Sequence, residues 1–336
     1  MAKALRNLNV ALAGLGGDAP LLVYGLESAK GTRLVAVADE NENALAAANF
    51  AGDVPRFSSY DQLLEQPGID AIEINLPPES AAPLAEKALK AGLHVSLAFP
   101  FFTDAEQAER LRETARRSGK ILRPLMPLLC HGPVVEAQKL LDDELLGNTQ
   151  VIRIKSTLSQ CGGYLEGFSP LYENPAKPRC DRLYEPLALL SLLGRVQSVF
   201  VFPGDTPDLI QVHFADKRMG VFEAVRASEL AIRSFYAPQD ISVEIAGTDG
   251  LLTLDRLIGI VRNRPALSYY VQNTWVQVAG FLDVDYKNAF KNAASKFAQF
   301  AVAGKFPDGL YQTATNMLKL LAAVETSASE EREVLL

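Results

Sequence analysis

The sequence predicts an α/β protein of two domains, with a parallel-sheet domain over residues 1–124 and a strand-rich domain over residues 125–336. Three observations carry that expectation. A length of 336 residues suffices for about two domains. Up to residue 124, short apolar runs alternate with longer helix-like segments, the pattern of βαβ units. Beyond it the rhythm changes to closely spaced strands with a one-on, one-off apolar period.

In the first domain, residues 9–13 (NVALA) and 34–38 (LVAVA) read as the first two strands, with a helix over 20–29 between them. Further strands are expected at 71–76 (AIEINL) and 94–97 (HVSL). The helix expected over 81–91 gathers Leu84, Ala88 and Ala91 on one face, with Glu86, Lys87 and Lys90 elsewhere. Another over 106–118 stops at Gly119, a common helix C-terminal residue. In the second domain a helix over 134–146 ends at Gly147, and strands follow at 151–158, 196–202, 209–214, 220–227, 241–246 and 251–254. Thr248-Asp249-Gly250 reads as a hairpin turn in which Gly250 supplies positive φ. Helices over 286–303 and 310–328 close the chain.

Composition excludes several function classes. The hydrophobic fraction is 48% and the charged fraction 22%, so a core forms and a disordered or fibrous chain is ruled out. Net charge is −7, with 13 basic against 16 acidic residues in 1–124 and 20 against 24 in the rest. Neither half carries the basic balance of a nucleic-acid binder. Cys130, Cys161 and Cys180 are too few and too scattered for a disulfide framework, which fits a reducing cytoplasm. The apolar run after the first residues enters a glycine cluster and reads as a strand instead of a signal peptide. No window of about 18 apolar residues is present, and a membrane span is not expected.

Gly14-Leu15-Gly16-Gly17-Asp18-Ala19 follows the first strand and opens the first helix, where a G-x-G-x-x-G/A turn belongs. Backbone without Cβ atoms can approach a pyrophosphate, whose charge then sits on helix N-terminal N–H groups. Asp39, 25 residues after Gly14 at the end of the second strand, is placed to accept hydrogen bonds from a ribose diol. Glu40 beside it, with no arginine directly after, disfavours a 2′-phosphate, so NAD is expected over NADP. The alternative is a tight βα turn without ligand, and Asp18 would repel an anion if it faced inward.

With these residues in view, the chain resembles the Gfo/Idh/MocA group of NAD(P)-dependent sugar and inositol oxidoreductases. The resemblance rests on the glycine turn and LVAVAD ending at Asp39, on SYDQLL over 59–64, and on IDAI over 69–72. Pro77-Pro78, ALKAGLHV over 88–95, EIAGTDGLLTLD over 244–255 and the tail over 308–336 extend it. It implies a Rossmann domain followed by an α+β domain with a large, mostly antiparallel open sheet that joins subunits into a homodimer or homotetramer. Carried onto this chain, the cofactor-binding candidates are Gly14, Leu15, Gly16, Gly17, Asp39, Glu40, Leu76, Pro77, Ala98 and Phe99.

The chemical positions depart from the family pattern. Where the family has E-K-P, this chain has Ala98-Phe99-Pro100, and a phenyl ring neither donates a hydrogen bond nor carries charge. The D-x-G-x-H-x-x-D segment falls on residues 180–187 (CDRLYEPL), placing Tyr184 at the histidine and Leu187 at the second aspartate. Tyrosine at that position resembles a general acid/base, which makes Tyr184 the catalytic candidate. A phenol near its ordinary pKa of about 10 is a poor base at neutral pH, and the lysine that would lower it is missing. The threonine of the T-P-P turn is Leu76 and a following histidine is Ala81.

No metal site is expected, because His94, His131 and His213 lack ligand spacing and each reads as structural. Cys180 beside Asp181 has no neighbouring histidine and reads as a packed thiol. The irregular stretch over 159–182 is long enough for a binding loop, and Lys177, Arg179 and Arg182 are its candidates for an anionic or polyhydroxyl small-molecule substrate. Three readings follow: an NAD-linked oxidoreductase of a sugar- or polyol-like compound, a catalytically silent nucleotide- or sugar-binding relative, or redox cofactor use in a lyase or epimerase reaction.

Overall fold

A computed structural model describes residues 7–50, 52–159, 178–204, 208–227, 229–232, 234, 239–259, 264–278 and 282–336, with only the backbone course of 178–182. The chain divides into two compact units, one formed by 1–127 with 287–315, the other by 128–286 with 316–336.

The first unit is a parallel sheet flanked by helices. Its elements run β1 (Leu8–Ala13), α1 (Ala19–Ser28), β2 (Thr32–Ala38), α2 (Glu42–Ala47), β3 (Arg56–Phe57) and α3 (Tyr60–Leu64). They continue through β4 (Ala71–Ile74), α4 (Pro78–Lys90), β5 (His94–Leu97), α5 (Ala105–Ser118) and β6 (Leu122–Pro124). The strand order is β3-β2-β1-β4-β5-β6, with every pair parallel. Because β1 is flanked by β2 and β4, the connections leave it toward opposite sides, and a crevice opens at the carboxyl ends of these strands. The central strands are almost wholly buried, as helices on both faces require.

Local sequence sets the ends of these helices. Asp104 caps α5 by accepting the Gln107 N–H at 2.7 Å, and Gly119 ends it at φ 67°. Two charged residues nonetheless sit inside the sheet. Glu73 on β4 and Arg123 on β6 are each 2% exposed and lie 3.2 Å apart, with the Ser96 hydroxyl bridging them at 2.8 and 2.6 Å. Arg123 also donates to the Ala293 carbonyl at 2.6 Å and stacks over Phe297, 4.7 Å from the ring centre, on the later helix α8 (Lys287–Ala303). α8 further packs on α1 at Gly25, where a Cβ would stand 3.0 Å from the Phe290 backbone.

The second unit is built on a nine-stranded sheet. It contains α6 (Gly132–Asp142), β7 (Thr149–Leu158), α7 (Pro178–Ala188), β8 (Val196–Phe202), β9 (Asp208–Phe214), β10 (Met219–Arg226), β11 (Gln239–Gly247) and β12 (Gly250–Leu254). Then come β13 (Leu267–Val271), β14 (Thr274–Gln277) and, after α9 (Asp308–Glu330), the closing strand β15 (Val334–Leu335). The order is β14-β13-β12-β11-β7-β10-β9-β8-β15; among the described residues, only β7 and β10 pair in parallel. The expected large, mostly antiparallel sheet is therefore present. Its strands alternate buried with half-exposed residues: Ile241, Val243 and Ile245 of β11 face the core with Ile152 and Ile154 of β7.

Some details differ from expectation. Gly250 does not adopt positive φ; it is required because a Cβ there would approach the Tyr270 carbonyl to 2.6 Å. β13 and β14 are strands the sequence reading did not separate. Their turn, Gln272-Asn273, takes φ of 49° and 60° without glycine, so the usual hairpin signal is missing. The stretch read as an irregular loop to 182 becomes helical from Pro178.

Candidate functional site

The carboxyl ends of β1, β2 and β4 converge on the glycine turn. Gly14 has φ 90°, and a Cβ on it would fall 2.2 Å from the Asn75 carbonyl oxygen and 2.9 Å from Cδ2 of Leu76, so only glycine passes between these strands. Gly16 and Gly17 are different: a Cβ on either meets nothing within 4 Å. The backbone there borders open space, which is the room a pyrophosphate needs. Gly17 also takes φ 53°, and Ala19, at the third motif position, is buried where α1 begins.

Two side chains hold the turn in shape. Asp39 accepts the Leu15 N–H on Oδ2 at 2.6 Å and the Asn41 N–H on Oδ1 at 2.8 Å. Asn75 donates through Nδ2 to the Gly16 carbonyl at 2.7 Å. Asn75 was not singled out from sequence; its position directly after an apolar strand was the available signal. Tyr60, a neighbour of Asp39, was also not singled out. Burial, with Asp39 and then Glu40 as nearby charges, pushes its phenol up to about 12. Glu40 itself is exposed.

Asp18 occupies the cap position of α1 but makes no side-chain cap hydrogen bond. It is half-buried, and desolvation pushes its carboxyl up to about 7. Below about pH 7 the protonated carboxyl brings no repulsion to a phosphate beside the turn, and above it the carboxylate does. The donor set, the open glycines and the carboxylate at the end of β2 fit a dinucleotide.

At the ends of β4 and β5 the surroundings are apolar. Ala98 is buried, and its N–H donates to the Ile74 carbonyl at 2.9 Å. Leu76, Pro77 and Phe99 are half-buried. Phe99 sets its ring edge-to-face on Phe101, centroids 5.7 Å apart at 85°, and Phe101 continues to Phe102 and Tyr311.

In the second unit Tyr184 and Leu187 are buried on α7. Arg179 and Arg182 begin the same helix, with side chains outside the described residues, as are those of Cys180 and Asp181; Lys177 and Cys161 lie wholly outside. Glu185, next to Tyr184, accepts the Tyr286 hydroxyl. Tyr286 in turn packs edge-to-face with His131, centroids 5.6 Å apart. His131 is 1% exposed, and neither ring nitrogen finds a hydrogen-bond partner among the described residues. Burial pushes it down to about 4 against the opposing pull of Asp283 and Asp285, so it is neutral at physiological pH. His94 accepts the Ile121 N–H at 3.0 Å, and His213 lies 3.3 Å from both Ser198 and Glu333. Among the described residues, no three or more His, Cys, Asp or Glu side chains gather as metal ligands, and no helix is long and apolar enough to cross a membrane.

Residues 8–125 match the family profile of the Gfo/Idh/MocA oxidoreductases, described as an oxidoreductase family with an NAD-binding Rossmann fold. Over that segment, about a third of its length, the chain is similar to this family. Among its relatives is the dTDP-3,4-didehydro-2,6-dideoxy-alpha-D-glucose 3-reductase of Streptomyces violaceoruber, 30% identical over 158 residues that make up 46% of each protein. The chain thus matches less than half the length of that curated relative. Solved structures share the fold over nearly the whole chain. The scyllo-inositol dehydrogenase of Lactobacillus casei with bound NAD(H) and scyllo-inositol superposes with a TM-score of 0.78 at 16% identity, covering 98% of this chain and 99% of the other. A 3-ketoreductase of Actinomadura kijaniata with TDP-benzene and NADP gives 0.73 at 21% identity, covering 96% and 98%. The matched segment, described in that family as an NAD-binding Rossmann fold, contains the glycine turn described above.

Proposed function

We propose that this protein is an NAD-linked oxidoreductase that passes hydride between the nicotinamide and a carbinol carbon of a sugar-, polyol- or inositol-like small molecule. The observation that carries this reading is the glycine turn whose outer two glycines border open space beside Asp39. When bound, NAD supplies the hydride acceptor or donor. Gly16, Gly17 and the N-terminus of α1 hold its pyrophosphate through backbone N–H groups, and Leu15 packs beside them. Asp39, with Glu40 at its side, takes the ribose diol, while Leu76, Pro77, Ala98 and Phe99 border the nicotinamide end. The carboxylate of Asp39 disfavours a 2′-phosphate, which supports NAD over the NADP held by the Actinomadura kijaniata enzyme. Tyr184 moves the substrate hydroxyl proton, and Lys177, Arg179 and Arg182 contact polar groups of the substrate.

A second reading is favoured by Phe99, Leu76 and Leu187, which stand where the family has hydrogen-bonding or charged groups: a silent relative that binds the dinucleotide or a sugar as a sensor or partner protein. Absorbance of reduced cofactor, followed across sugars, polyols and sugar acids, separates the two. Turnover that is lost in Tyr184→Phe supports the enzyme; NADH binding without turnover selects the silent relative. The relatives' substrates are small molecules, and we place this chain in the cytoplasm with a small-molecule substrate and no nucleic-acid or membrane partner. We also assign self-association into a homodimer or homotetramer to the second unit's sheet. Phe202, Leu209, Met219, Tyr270 and Trp275 are exposed on its strands, and sedimentation of the purified chain tests this.

A further inference from the structure

The rim of the parallel sheet beside the glycine turn is apolar and held in place. Leu76 lies over Gly14 closely enough to exclude a Cβ there, and the Ile74–Leu97 pairing brings the ends of β4 and β5 side by side, two residues before Leu76 and Phe99. The Phe99 ring rests edge-on against Phe101, which is buried and backed by Phe102 and Tyr311. This aromatic column backs the Phe99 ring on one side. Neither chain segment forming the rim offers a cation: residues 75–86 and 95–109 contain no lysine, arginine or histidine.

We propose that Phe99 makes this protein select a ring bearing few hydroxyls, a cyclic substrate deoxygenated on the side that meets the end of β5, over a fully hydroxylated sugar or inositol. The proposal rests on the oxidoreductase reading and narrows its substrate class. A hydroxyl pressed against Phe99 exchanges water for a surface with no donor or acceptor, whereas a ring C–H there loses nothing and buries apolar area. An ammonium at the same place would donate up to three hydrogen bonds and reverse that preference. Leu76 extends the same apolar surface from the neighbouring strand, so the selection does not hang on one side chain's reach.

The test uses the full chain saturated with NADH and two probes, trans-1,2-cyclohexanediol and myo-inositol, which share a carbocyclic ring and differ in hydroxyl number. Affinities are read by calorimetry or ligand-observed NMR. The expected result is that the diol binds about tenfold or more tightly than inositol, the order set by one unpaired buried hydroxyl. Phe99→Lys moves that ratio toward inositol by about the same factor, and Phe99→Gln moves it the same way should the lysine variant not fold. Phe99→Leu keeps the preference for the diol. Inositol bound as tightly as the diol, neither probe bound, or a ratio untouched by both polar variants overturns the selectivity while NADH binding preserves the cofactor reading. Absence of NADH binding overturns both.

Discussion

The backbone N–H of Leu15 lies 2.6 Å from Oδ2 of Asp39, so the carboxylate at the end of β2 clamps the glycine turn at the end of β1. Its other oxygen accepts the Asn41 N–H at 2.8 Å. Asp39 thus shapes the turn in addition to its proposed contact with the ribose. Asp39→Ala is expected to cost about 2 kcal/mol, because hydrogen bonds to a charged group carry roughly 1.5–3 kcal/mol each and this site is partly exposed. NADH affinity falls with it. Denaturant unfolding beside a binding titration checks both; affinity lost at unchanged stability would confine Asp39 to ligand contact.

Asp18 makes the turn sensitive to pH. Its folded carboxyl is pushed from 3.8 to about 7 by desolvation, so the unfolded chain ionises first as pH rises. Stability is full below pH 3.8, declines between there and about 7, and is then flat, with a total loss of roughly 1–2 kcal/mol for a half-buried group. The anion that forms above pH 7 also opposes a pyrophosphate, so NADH affinity weakens through that range. Asp18→Asn is expected to flatten both profiles, and thermal unfolding and NADH titration from pH 5 to 9 measure them.

Glu73 and Arg123 form an ion pair inside the parallel sheet. Burial pushes Glu73 up, against the pull of Arg123 and the Ser96 hydrogen bond. Arg123→Met removes the compensating charge and the tie to the Ala293 carbonyl. The expected loss is about 3–5 kcal/mol. The double variant with Glu73→Gln should recover a large part of it, and urea unfolding of the four-protein cycle reads the coupling.

His131 sets an acid limit on stability. Burial lowers it from 6.5 to about 4, so the unfolded state takes up its proton first as pH falls. Stability is unaffected above pH 6.5 and declines between 6.5 and 4, by up to about 3 kcal/mol. Asp283 and Asp285 are the charged groups that oppose this shift. His131→Phe retains the edge-to-face contact with Tyr286 and should remove that part of the acid loss. His94, also lowered to about 4, remains in both proteins and cancels in the comparison.

The features legible in the sequence are those whose signal is local. The glycine turn, the apolar β1 and β2, and the helix ending at Gly119 each announce themselves within a few residues, and the structure has them. The β13–β14 hairpin was hidden because Gln272-Asn273 makes its turn without glycine. The start of α7 was masked by Pro178 and a surrounding loop-like composition. Asp39 stood out by its place at the end of the second strand, but its clamp on Leu15 depends on strand packing that no spacing reveals. Glu73 in the middle of an apolar strand was a readable anomaly whose partner, Arg123, lies 50 residues away. The return of α8 to the first unit is likewise a tertiary event.

The central claim is that the glycine turn holds a dinucleotide. Gly16 offers the most direct test, because a Cβ there meets no protein atom within 4 Å and its φ is not in the left-handed range. Gly16→Val should therefore fold with an unchanged melting temperature while filling the room beside the turn. Titration of both proteins with NADH, followed by energy transfer from protein fluorescence, is predicted to give saturable binding in the wild type and a loss of about tenfold or more in the variant. Equal binding by the two proteins, or none by the wild type, would contradict it.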